Sequence, residues 1–161
     1  MTKLTPRIFN KTLRTLHLAL TAGPSFFAVV TYFIAPDQYF DYMKTDDILF
    51  FVVPIIGITA IVISAFLFAK QKRELLKKET LKEKLVGYQG ASIIKYGLIE
   101  GPALLAIVIF FKFGNLFYLI IAVLFIVYLI LQRPTKAKIE QDLQLDFEQL
   151  NEYNQLDKEL E

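Results

Sequence analysis

Four stretches of this chain are long and apolar enough to cross a membrane: residues 15–34, 48–69, 92–111 and 116–132. A bilayer presents about 30 Å of hydrocarbon, which a helix of about 20 residues crosses. Within it every backbone polar group must find a partner inside the span, and the apolar runs are continuous rather than alternating, so helices are predicted and strands are not. The expected fold class is therefore all-α: a polytopic membrane protein with four transmembrane helices. Composition agrees, since 55% of the 161 residues are hydrophobic and mean hydropathy is +0.44, too apolar for a chain that faces water throughout. The run at 15–34 resembles a signal peptide in following Lys3, Arg7, Lys11 and Arg14, but its length and the lack of an Ala-x-Ala pattern in "YFIAPDQ" predict that it is retained.

The basic residues set the orientation. Lys3, Arg7, Lys11 and Arg14 precede the first span, "KQKRELLKKETLKEK" (70–84) separates the second from the third, and Arg133, Lys136 and Lys138 follow the fourth. The connector "APDQYFDYMKTDD" instead carries Asp37, Asp41, Asp46 and Asp47 against a single Lys44. The positive-inside rule then predicts a cytoplasmic N-terminal segment (1–14), a cytoplasmic central loop and a cytoplasmic acidic tail (133–161). Both termini are expected inside, in a bacterial-type inner membrane. The remaining connectors, including the short one from Lys112 to Asn115, are expected outside.

The first and third spans align without a gap. "LTAGPSFFAVVTYF" (20–33) lies over "LIEGPALLAIVIFF" (98–111), with Gly23-Pro24 over Gly101-Pro102. Two spans separate the copies, which points to a duplicated helical hairpin of the parallel kind. Proline has no N–H to give the carbonyl four residues back, so Pro24 frees the carbonyl of Leu20 and Pro102 that of Leu98. A kink is expected at each Gly-Pro pair, Gly23-Pro24 and Gly101-Pro102.

Glu100 is the one carboxylate inside an apolar span, and it lies over Ala22 in the alignment. Holding its charge at mid-span is costly, so it is expected to be neutral, hydrogen-bonded or paired, and turned toward the bundle. Thr21 and Ser25 on the first span and Thr59 on the second are the hydroxyls at similar depth. With the Leu98 carbonyl they complete a candidate ion-binding set around Glu100. Lys95 lies about 140° round the same helix and is expected to reach for the cytoplasmic surface, as is His17. A neutral Glu100 that gives one interhelical hydrogen bond as packing glue is the competing reading.

The second span, basic loop and third span (residues 48–111) together resemble the proteolipid (c) subunits of rotary ATPases. Their ion-carrying helix has a Leu-x-Glu-Gly-x-Ala pattern before an aliphatic run, matched here by Leu98, Glu100, Gly101 and Ala103 followed by "LLAIVIFF". That resemblance implies that Glu100 is a proton- or sodium-binding carboxylate. The chain differs from the family in having Pro102 within the pattern, Gly57 alone on the second span, and two flanking spans.

Outside the spans, Glu74 and Lys78 are spaced to pair at i, i+4 on an extension of the second helix. Asp146 with Gln149 forms a capping box for a tail helix that would align Phe147, Leu150 and Tyr153, docked on the protein's own loops or on a partner. One histidine, no cysteine and no phosphate-binding glycine loop leave no catalytic set, metal site or cofactor to propose, so an enzyme is not expected. A net charge of +2 gives no bias toward nucleic acid. The partners expected are the lipid bilayer, a proton or sodium ion, and further copies of the chain or other membrane subunits. Two functions stay open: an ion-handling protein built on Glu100, or a scaffold or regulatory subunit of a larger membrane complex.

Overall fold

The computed structural model describes residues 4–35, 37–42 and 47–160. Lys3, Lys44 and Asp46, which entered the charge argument, lie outside them. The described residues form helices α1 (Pro6–Ile34), α2 (Ile48–Leu75), α3 (Leu81–Phe113), α4 (Leu116–Leu131), α5 (Lys136–Leu143) and α6 (Phe147–Asn154), with no strand beyond one isolated bridge. Three of them, α1, α2 and α3, are long and apolar enough to cross a membrane. The pair α4 and α5, taken together as one broken span, is a fourth candidate.

The long helices overrun the apolar runs. Whereas hydropathy starts the first and third spans at 15 and 92, α1 begins at Pro6 and α3 at Leu81. These amphipathic extensions carry too many charges for a hydropathy window, yet they bury Phe9, Leu13, Leu81, Leu85 and Tyr88. Pro24, Pro54 and Pro102 all lie inside helices, so none of them ends its element.

The chain divides into two compact units. One comprises residues 1–18, 65–95 and 133–161 and is held together by polar contacts. The Leu160 N–H donates to the Leu4 carbonyl (2.9 Å) and the Arg7 N–H to the Leu156 carbonyl (3.0 Å), so the two ends of the described chain lie side by side. Asp142 accepts from Lys72 Nζ (3.0 Å) and from the Tyr88 hydroxyl (2.9 Å). Buried Lys84 donates to Gln149 Oε1 (2.8 Å), and Gln149 Nε2 donates to the Glu79 carbonyl (3.0 Å). The tail is therefore docked on the protein's own helices.

Two expectations for this unit fail. Because α2 stops at Leu75, Lys78 is not one helical turn from Glu74; Lys77 pairs with Glu74 (2.9 Å) and Lys78 with Glu83 (3.7 Å). Asp146 does cap α6, its Oδ1 accepting from the Gln149 N–H (2.8 Å), but the buried side is Gln149 and Tyr153, one turn apart. Phe147 remains 80% exposed. The polar bonds of Gln149, invisible to an apolar pattern, turn the helix.

The other unit comprises residues 19–64 and 96–132. Its core gathers Ala28 of α1, Val53 of α2, Ala103, Ala106, Ile107 and Phe110 of α3, and Tyr118, Ala122, Phe125 and Ile126 of α4. Gly57 admits the Phe125 ring: a Cβ at position 57 would lie 1.9 Å from its Cζ. Gly114, at φ 73°, makes the turn from α3 into α4, a conformation that glycine adopts without strain.

Candidate functional site

Glu100 sits on α3 one residue before the Gly101-Pro102 pair, in the second unit. Its neighbours on the buried side of the helix, Ile99 and Ala103, are at most 1% exposed, whereas Glu100 itself is half-buried. Across from it lies the backbone of α1, with Glu100 Oε1 only 3.9 Å from where a Cβ on Gly23 would be. The two aligned Gly-Pro helices therefore approach each other at the carboxylate, at ordinary van der Waals distance from position 23. Gly97, one turn earlier on α3, and Gly101 have open space where a side chain would be. Sequence reading placed Gly23 and Gly101 in a kink and gave Gly97 no role, although three glycines close to a mid-span acid were there to be read.

The expected hydroxyl ligands do not converge on the acid. Ser25 donates its hydroxyl hydrogen to the Thr21 carbonyl (2.7 Å), which leaves it no hydrogen to offer a carboxylate. Thr31 and Ser64 likewise bond back to carbonyls of their own helices. Thr21 is buried on α1 and makes its own interactions. Thr59 is exposed on α2. The Leu98 carbonyl has lost its helical donor to Pro102 and lies within the same turn as Glu100. Among the described residues none gives the Glu100 side chain a hydrogen bond or an ion pair. Local back-bonding is the physical reason: a hydroxyl in a helix reaches its own i−4 carbonyl more easily than a neighbouring helix.

Lys95 belongs to the other unit, where its Nζ lies 4.6 Å from the centroid of the Phe68 ring. His17, in that unit too, is 6% exposed and partnered. Among the described residues no group of three or more metal-ligating His, Cys, Asp or Glu side chains occurs.

At one end of the second unit the two connectors expected to share a side are tied together. The Tyr39 N–H donates to the Gly114 carbonyl (3.1 Å) and the Leu116 N–H to the Tyr39 carbonyl (2.9 Å). Asn115, 2% exposed, accepts at Oδ1 from the Asp41 N–H (3.2 Å) and from the Phe117 N–H (3.0 Å), and donates from Nδ2 to the Asp41 carbonyl (2.9 Å). Tyr118 donates to Asp47 Oδ2 (2.9 Å). Asn115 thus caps α4 and clasps the acidic connector at once. The cap was legible as an asparagine before an apolar run; the clasp, between residues far apart in the chain, was not.

Set against known protein families, curated proteins and solved structures, the chain matches none of them.

Proposed function

We propose that this protein crosses the membrane four times and that Glu100 binds and releases a proton or a sodium ion, in the manner that the resemblance to proteolipid subunits implies. The observation that carries the reading is a mid-span carboxylate with no hydrogen-bond donor among the described residues, set against the glycine of a neighbouring helix. A glutamate kept as packing glue would be bonded across the helix interface, because that bond is what repays its burial. An exchangeable proton or a bound cation needs the reverse: a carboxylate with free lone pairs and a way in. Gly97 and Gly101 supply the way in, and the Leu98 carbonyl, deprived of its i+4 donor by Pro102, supplies a second oxygen for a cation.

The duplicated hairpin and the orientation belong to the same reading. Burial repeats along the aligned helices, with Gly23 and Gly101 exposed, Pro24 and Pro102 buried, and Ala28 and Ala106 buried. The pairing of the chain ends and the clasp between Tyr39 and Asn115 each join segments that the charge rule puts on one side. Gly57 receives Phe125 of the same chain, so its cleft is filled within one protein, unlike a helix that must admit an identical neighbour in a ring.

A scaffold or regulatory role is the second reading, favoured by Phe147, a large ring left exposed on the docked tail. Glu100→Gln separates the two. It keeps size and hydrogen-bonding capacity but cannot exchange a proton. Ion handling predicts loss of ion flux or of growth with membrane insertion and thermal stability unchanged; wild-type behaviour in both would leave the scaffold reading.

A further inference from the structure

A second polar feature lies in the first unit, and it is basic. Arg7, Lys11 and Arg14 follow one another at i, i+4 and i+7, along one side of α1 and away from the buried Phe9 and Leu13. Lys136, the first residue of α5, comes up against that row, and together they line a cavity of about 390 Å³ with no carboxylate among the described residues of its wall. Like charges one turn apart repel, so this row is unfavourable until an anion enters it.

The partners it already has are weak. Arg7 pairs with Asp157 at 2.9 Å, but both side chains are more than half exposed. Lys136 is 3.8 Å from Glu140 and donates to Asn154. Lys11 and Arg14 are exposed, and among the described residues no carboxylate forms an ion pair with either. Exposed pairs such as the first two contribute little and are readily exchanged for a stronger acceptor. Asn10 completes the wall: its Oδ1 accepts from the Tyr153 hydroxyl (2.7 Å), which leaves the amide NH2 as a neutral donor.

We propose that this cavity seats the phosphate of an anionic phospholipid headgroup in the cytoplasmic leaflet. A phosphate oxygen accepts from guanidinium and ammonium groups together, which suits a wall of two arginines, two lysines and one amide. Depth selects a lipid over a free anion. Arg14 lines the cavity immediately before the first apolar span and Thr15 is that span's first residue, which puts the cavity at headgroup level, where a bilayer concentrates negative charge. The site is distinct from Glu100 and stands whether or not Glu100 carries an ion.

Native mass spectrometry of the full-length protein, extracted from bilayers of phosphatidylcholine with one-fifth phosphatidylglycerol, tests it. The wild type should retain phosphatidylglycerol in preference to phosphatidylcholine, and Lys11→Gln with Arg14→Gln should reduce that retention roughly tenfold or more. The same charge change on the central segment, Lys77→Gln with Lys82→Gln, should leave it within about twofold. Because Lys11 and Arg14 are exposed, the double variant should fold, and Lys11→Arg with Arg14→Lys, which keeps the charge, should retain the lipid. The proposal is overturned by equal loss in both pairs of Gln variants, by no preference for phosphatidylglycerol, or by its full displacement with millimolar inorganic phosphate, which would make the site one for a free anion.

Discussion

At the scale of single residues, two side chains carry opposite lessons about burial. Glu100 was readable as an oddity because a carboxylate inside "YGLIEGPALLAIVIFF" has no apolar explanation. Its surroundings were not readable, because hydropathy reports depth along a helix and says nothing of rotation about it. Three hydroxyls at the correct depth were therefore expected as ligands; Ser25 is committed to the Thr21 carbonyl and Thr59 faces outward. Tyr153 is the reverse case, an ordinary tail residue that proves to be fully buried. Burial pushes its hydroxyl from the usual value near 10 up to about 12. A group whose pKa is raised by folding stabilises the folded form fully below its unfolded value and loses that contribution as pH rises through its folded one. The docked tail should therefore weaken as pH rises from about 10 to 12, where an undocked phenol ionises while the docked one stays protonated on Asn10. Limited proteolysis of the tail across that range should show a step that Tyr153→Phe lacks; an identical profile in the variant would place the pH dependence elsewhere.

Among the helices, what the sequence announced was the apolar part of each and what it concealed was the polar remainder. The second span starts at Ile48 and the fourth at Leu116, as hydropathy requires, because an acidic connector and an asparagine cap mark those ends. The extensions of α1 and α3 and the whole of α5 needed partners from distant parts of the chain before they became visible. Contact between α2 and α4 depends on one such long-range fit, Phe125 lying where a side chain at 57 would be. Gly57→Ala should force that ring away and destabilise the protein by about 1–3 kcal/mol, the usual cost of overpacking, despite the better helix propensity of alanine. Thermal unfolding in detergent measures it, and Phe125→Leu should restore part of the loss. A variant with alanine at 57 as stable as the parent would mean that the two helices are not packed on this glycine.

For the molecule as a whole, charge predicted the sides and hydrogen bonds now join the segments assigned to each. Reporters inserted near Gly87 and near Tyr42 should lie on opposite faces of the membrane, the first cytoplasmic and the second external. A Tyr42 tag shielded from impermeant reagents in intact cells would contradict the four-span arrangement. The central claim remains that a carboxylate held inside that membrane takes up and releases an ion, and a hydrophobic carbodiimide reports on it directly, since the reagent enters lipid and couples to a neutral carboxyl group. Labelling in native membranes followed by peptide mass spectrometry should find the adduct on Glu100, and it should be absent from Glu100→Gln. Protection by sodium would name that ion, and labelling indifferent to sodium would name the proton. A Glu100 that stays unlabelled while other membrane carboxyls in the same sample react would contradict the account.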